Sequence, residues 1–187
     1  MAKASKSTPA SERTFDLIVY GATGFTGRLV AEHMLATYGA DGPVRWAIAG
    51  RSTAKLDEVR KAIGAPDSLA MITANASDPA SLNAMCLQTK VVVTTVGPYQ
   101  LYGEGLVIAC ADSGTDYVDL CGEPAWMRQK IDEHDAAAKA SGARIVFSAG
   151  FDSIPFDLGV VYLQHEAQQR LGAPLARVHG RVKVMKG

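Results

Sequence analysis

The sequence predicts a doubly wound α/β fold, an open parallel sheet with strand order 3-2-1-4-5-6. Three observations predict it. From residue 15 onward, short apolar runs rich in β-branched residues alternate with longer helical stretches. Several of these runs are apolar nearly throughout, as strands are when helices cover both faces of the sheet. The first run also passes into a helix through three glycines, Gly21, Gly24 and Gly27. Strand and helix in alternation imply right-handed crossovers between parallel neighbours, and the doubly wound order follows.

In chain order, strands are expected at 15–20 (FDLIVY), 45–49 (RWAIA), 69–73 (LAMIT), 90–96 (KVVVTTV), 117–120 (YVDL) and 144–148 (RIVFS). Helices are expected near 26–38, 53–63, 79–86, 103–113 and 124–141. Asp78 before Pro79 starts the third helix, and Pro124 starts the fifth in the same way. Gly114 and Gly142 stop helices before the next strand. Leu82 and Met85 share one side of the third helix, while Trp126, Lys130 and Ile131 mark the inner side of the fifth. A seventh unit follows: a loop and helix in AGFDSIPFDLGVVYLQHEAQQRLG, then an alternating strand in ARVHGRVKVMKG.

Residues 1–14 read as a flexible tail, 15–170 as one nucleotide-binding domain, and 171–187 as the start of a second α/β domain that is missing. The last strand needs a neighbour that these 187 residues do not clearly provide. Lys plus Arg equals Asp plus Glu at 19 each, which leaves no net field to draw in nucleic acid or an anionic membrane. Cys86, Cys110 and Cys121 are odd in number and suit neither a zinc knuckle nor a disulfide framework, so a cytoplasmic protein is expected. The four histidines never pair at metal-ligand spacing, and no metal site is expected. No apolar run approaches the roughly 20 residues of a membrane span. The N-terminus lacks the apolar core of a secretory signal; its Ser- and Lys-rich character leaves a transit peptide as an alternative to a tail.

The three glycines form G-x-x-G-x-x-G between a strand and a helix. Gly21 permits a tight turn, Gly24 lets the backbone approach a pyrophosphate, and Gly27 lets the helix pack on the strand. The helix N-terminus offers N–H groups and partial positive charge to phosphates, with hydroxyls from Thr23 and Thr26. The alternative is a glycine-rich turn that binds nothing. At the end of the second strand, where an acidic residue commonly bonds a ribose 2′-hydroxyl, stand Arg51 and Ser52. A guanidinium fork matches a 2′-phosphate, so NADP is favoured over NAD; otherwise Arg51 is a solvated strand end. Asn75 and Asp78 follow the third strand near the expected adenine, and Gly97 and Pro98 follow the fourth at the ligand-binding edge.

Together, YGATGFTGRLVA, AGRSTAKL, VVVTTVGPYQLYGEGLVIACADSGTDYVDLCGE and FSAGFDSIPFDLG resemble the saccharopine dehydrogenase-like oxidoreductases, in the branch that includes the trans-acting enoyl reductases. The resemblance spans residues 15–165. It implies an N-terminal Rossmann domain binding NAD(P), then a larger domain that shapes the substrate pocket and a homodimer contact. It places the cofactor loop on Gly21, Thr23, Gly24, Phe25, Thr26 and Gly27, the second-strand reader on Arg51, and a turn on Gly97, Pro98 and Tyr99. It also associates this branch with lipid precursors.

No tyrosine has Lys four positions later, so the Tyr–Lys pair of short-chain reductases is absent. Tyr99 is a candidate proton donor and Asp152 a candidate for orienting substrate. Asp152 and Ser153 are alternatively helix caps near Pro155, and Asp119 and Glu123 loop braces. Cys121 sits where a nucleophile could act, but such a cysteine is more often a small buried hydrophobe. Two functions follow as expectations. One is an NADP-dependent oxidoreductase delivering hydride to a C=C or C=N bond of a small metabolite or lipid precursor. The other is a non-catalytic dinucleotide sensor or scaffold.

Overall fold

The computed structural model describes residues 10–183. Six strands form one parallel sheet: β1 (Phe15–Tyr20), β2 (Trp46–Gly50), β3 (Ala70–Thr73), β4 (Thr89–Thr94), β5 (Asp116–Val118) and β6 (Ile145–Val146), in the order β3-β2-β1-β4-β5-β6. The expected order is the observed one. Side chains on β1 alternate between two cores. Ile18 and Tyr20 face one core with Leu82, Met85, Leu106 and Trp126; Val19 faces the other with Ala31, Met34, Ile48 and Leu56.

The α-helices among the described residues are α1 (Phe25–Tyr38), α2 (Thr53–Ala62), α3 (Pro79–Cys86), α4 (Tyr99–Tyr102), α5 (Glu104–Ser113), α6 (Pro124–Ser141) and α7 (Ile154–Leu171). Gly114 (φ 69°) and Gly142 (φ 84°) end α5 and α6 in the left-handed conformation that glycine adopts without strain. The single helix expected at 103–113 is instead preceded by a one-turn helix, α4. The break falls at Gly103, where a Cβ would lie 2.8 Å from the Trp126 ring. Trp126 and Lys130 are buried as expected, but Ile131 is exposed.

Two expectations change at the chain's ends. The tail was expected to run through residue 14, yet Ala10–Glu12 form a 3₁₀ turn and Arg13 is buried. The Arg13 guanidinium donates to Thr89 O (2.6 Å), Thr115 Oγ1 (2.7 Å) and Ser113 O (2.6 Å), tying the segment to β4 and the end of α5. Residues 1–9 lie outside the described residues. The alternating strand expected over 176–187 is not formed at 176–183, where valine and charge alternate with no adjacent strand to accept backbone hydrogen bonds; 184–187 lie outside the described residues. Before it, α7 holds only Ala167 buried, while Leu158, Val161 and Tyr162 are each more than half exposed.

Candidate functional site

Two hollows open at the carboxyl edge of the sheet, flanking the junction of β1 and β4 where the strand order reverses. One, about 310 Å³, is bounded by the loop after β1, by Gly50 at the end of β2 and Arg51 after it, by Asn75–Ser77 after β3, and by Thr95–Gly97 after β4. Tyr20 lies in its floor and Tyr102 in its wall. The other, about 300 Å³, lies between α1, the ends of β4 and β5, and residues 148–153. Thr95 belongs to both. Its hydroxyl donates to Gly21 O (3.3 Å) and Tyr20 O (3.4 Å), fastening the glycine loop to β4.

The three glycines are held for different reasons. Gly21 has φ +91°, and a Cβ there would sit 2.8 Å from Thr95 Oγ1 and Val96 Cγ2. At Gly27 a Cβ would lie 2.1 Å from Gly21 O, so α1 could not approach the turn. Gly24 differs. Its φ of −85° and ψ of 168° suit any residue, and the nearest atom to an added Cβ is 3.4 Å away. The protein's own packing does not require glycine at 24; a group lying against the loop would.

Of the helices that directly follow β1, β2 and β3, only α1 begins without a side-chain cap. Ser52 Oγ accepts from Lys55 N–H at the start of α2 (3.4 Å), and Asp78 Oδ1 from Ala80 N–H at the start of α3 (3.0 Å). At α1, Gly24 offers no side chain, so first-turn N–H groups are left for another acceptor. Arg51 is exposed beside the hollow and makes no hydrogen bond or ion pair among the described residues.

The structure therefore brings Gly21, Thr23, Gly24, Arg51, Asn75 and Gly97 together around the larger hollow. Thr26 lies on the second hollow with Asp152, while Phe25 is 77% exposed in a shallow cleft between α1 and α2. Ser52 and Asp78 cap helices rather than line the hollow. Pro98 is the N-cap residue of α4.

Tyr99 requires a correction. It does not line either hollow but lies in the core, its ring 6.0 Å from that of Trp126. Its hydroxyl donates to Thr94 O (3.2 Å) and accepts from Leu120 N–H (3.4 Å). Burial pushes its pKa up to about 12, opposite to what a proton donor at neutral pH needs. The cap role weighed for Asp152 and Ser153 is not seen either, since Ser153 begins α7 without a side-chain cap bond.

Asp119 and Glu123 brace loops. Buried Asp119 accepts from Tyr117 OH (2.7 Å), Cys121 N–H (3.0 Å) and Ser148 N–H (2.7 Å), holding Ser148 at φ +57° on the rim of the second hollow. Burial raises the Asp119 pKa above the usual carboxylate range. Both Glu123 oxygens accept backbone N–H groups of α4, from Tyr99 (2.9 Å) and Gln100 (2.8 Å). Cys121 is buried, and burial lifts its thiol to about 11, which does not favour the nucleophilic thiolate. Glu104, Glu133 and His134 lie within ligand distance of one another, but the Lys130 ammonium already joins the two carboxylates at 2.5 and 2.6 Å.

Sequence reasoning missed Tyr20, Gly50, Ala76, Ser77, Thr95, Val96 and Tyr102 on the larger hollow. Strand-end position was the available signal for most of them. Tyr102 had none.

The model of the saccharopine dehydrogenase NADP-binding domain matches residues 17–146, from β1 through β6. The chain belongs to this family. Among curated relatives, a trans-acting enoyl reductase of Mycobacterium tuberculosis is 50% identical over 155 residues, 82% of this chain and 36% of the relative. One of Mycobacterium leprae is 48% identical over 153 residues, 81% of this chain and 36% of the relative. The chain thus spans well under half the length of the curated relatives it matches. In fold it is similar to saccharopine dehydrogenase (L-Glu forming) of Saccharomyces cerevisiae, with TM-score 0.61, 19% identity, 83% of this chain and 32% of that one. It is also similar to a Citrobacter triphenylmethane reductase complexed with NADP(H), with TM-score 0.53, 18% identity, 82% of this chain and 55% of that one. No helix among the described residues is long and apolar enough to cross a membrane.

Proposed function

We propose that this chain is the cofactor-binding part of an NADP-dependent oxidoreductase that delivers hydride to a C=C or C=N bond of a small metabolite or lipid precursor. One observation carries the reading: the uncapped start of α1 beside Gly24, with the unpartnered Arg51 on the same hollow. The residues suit the dinucleotide. First-turn N–H groups of α1 would receive the pyrophosphate, and Gly24 leaves it room. Arg51 would bond the 2′-phosphate, and Asn75 with Gly97 would border the ribose and base. The cofactor, when bound, supplies the hydride.

The second hollow adjoins the first through Thr95 and is the place for the nicotinamide and the acceptor, with Asp152 on its rim. In this reading a second α/β domain beyond about residue 171 completes the acceptor pocket and a homodimer contact; the relatives are long enough to hold one. Three free, buried cysteines suit the reducing cytoplasm. A dinucleotide-binding module without turnover is the second reading; the commitment of the Tyr99 hydroxyl to Thr94 O favours it.

Calorimetric titration with NADPH and NADH tests the cofactor. NADPH should bind more tightly, and Arg51→Ala should weaken NADPH by tenfold or more while leaving NADH within about twofold, as loss of one charge-assisted contact implies. Equal affinity for the two dinucleotides in the native protein would remove the NADP assignment. Oxidation of NADPH by the full-length protein with an unsaturated acceptor separates enzyme from module.

A further inference from the structure

Tyr99 and Tyr102 stand three residues apart on the same one-turn helix, yet their environments are opposite. Tyr99 is buried with both hydroxyl contacts made, whereas Tyr102 is 45% exposed on the wall of the larger hollow and its hydroxyl has no partner among the described residues. The helix that carries them is braced from several directions. Glu123 accepts two of its N–H groups, the Tyr99 ring lies against Trp126, and Gly103 leaves no space between α4 and the Trp126 ring. Such bracing fixes where the backbone of the outward residue stands.

The outward ring faces a defined place. At the start of α5, just after Tyr102, Gly105 packs beside the loop after β3, where its Cβ would lie 3.5 Å from Ala76 O. Tyr102 lines the hollow together with Asn75–Ser77 after β3 and Arg51 after β2. The ends of β3 and β2 lie away from the hollow shared by β4 and β5, and are where a purine would sit if the pyrophosphate rests on α1. Of the two aromatic rings on this hollow, Tyr20 is buried in the floor, so Tyr102 presents the accessible π face.

We infer that Tyr102 is a cofactor-binding residue, its ring stacking on the adenine. The inference rests on the cofactor reading above. Its loss should weaken binding by tenfold or more, the size expected when an aromatic platform under a base is truncated. The hydroxyl is not needed for this, so phenylalanine should serve.

The test is calorimetry of native protein, Tyr102→Leu and Tyr102→Phe with two probes, NADPH and adenosine 2′,5′-bisphosphate. Leucine keeps the apolar bulk at a half-exposed position but removes the π face, and thermal melting of each variant verifies folding. The expected result is a similar loss for both probes in Tyr102→Leu, and affinity within about twofold of native in Tyr102→Phe. Unchanged binding by Tyr102→Leu would overturn the inference while leaving the cofactor reading intact. So would a loss confined to NADPH, which would put the ring beside the nicotinamide half. Failure of the folded native protein to bind either probe would overturn both.

Discussion

Replacing Gly24 and Gly27 separately with alanine should separate what the fold needs from what the cofactor needs. At Gly27 the added Cβ would lie 2.1 Å from Gly21 O and 2.6 Å from Gly21 C, both backbone atoms. Ordinary contact requires roughly an ångström more, and no side chain can rotate to provide it. Overpacking against backbone belongs at the upper end of the usual range, about 3 kcal/mol, which for a chain of this size lowers Tm by roughly 6–12 °C. At Gly24 the nearest atom is 3.4 Å away and the backbone is extended. Alanine there gains about 0.4–1 kcal/mol by restricting the unfolded chain and loses a similar amount as a poorer N-cap. Its Tm should stay within about 4 °C of native. Its methyl, however, would stand where the proposed function brings the pyrophosphate. Displacing one charge-assisted hydrogen bond costs about 1.5–3 kcal/mol, a ten- to hundredfold loss of NADPH affinity. Differential scanning calorimetry and isothermal titration of both variants provide the readings. The reasoning is refuted if Gly24→Ala binds NADPH like the native protein, or if it melts as low as Gly27→Ala.

Three other substitutions probe the frame around the site. Asp119→Ala leaves the Cys121 and Ser148 N–H groups and the Tyr117 hydroxyl without their shared acceptor, so it should cost at least about 1–3 kcal/mol in a thermal or urea melt; an unchanged midpoint would contradict the bracing described for Ser148. Arg13→Ala leaves Thr89 O and Ser113 O without their guanidinium donors and should cost a similar 1–3 kcal/mol, whereas a true tail residue would change nothing in the same melt. Asp16 is bonded to Arg45 first and Lys90 second, and these contacts hold its carboxyl well below the usual carboxylate range. A depressed native pKa stabilises the fold at neutral pH, and that contribution is lost as pH falls below the unfolded value of about 4. The stability gap between native protein and Asp16→Asn, read from thermal melts, should therefore be small at pH 7, of order 1 kcal/mol for a partly exposed network, and should close in acid. A gap that widens on acidification would refute the sign.

Strand order was legible because each strand is an apolar run ended by glycine, proline or a polar cap, and local composition decides such runs. The glycine loop was legible for the same reason, since a turn and a helix start are local events. The misreadings have non-local causes. Arg13 reads as tail until its partners, 76 to 102 residues away, are in place. Helix α4 reads as part of the turn after β4 until Trp126 and Glu123 arrive from beyond β5 to set its axis. That same packing decides which tyrosine of PYQLY turns inward, so the sequence pointed to Tyr99 at the ligand edge where the fold presents Tyr102. Ser52 and Asp78 suit a ligand and a helix cap equally well by residue type, and their hydrogen bonds take the second use.

Cys86 at the end of α3 and Cys110 within α5 are fully buried, with their sulfurs 3.6 Å apart across the helix seam. Neither thiol can meet a bulky alkylating reagent while the two helices stay together. Their labelling rate consequently works as a gauge of how often that seam parts. Because the β3–α3 turn borders the larger hollow, slower labelling in the presence of NADPH would measure how far an occupant holds this flank of the molecule shut.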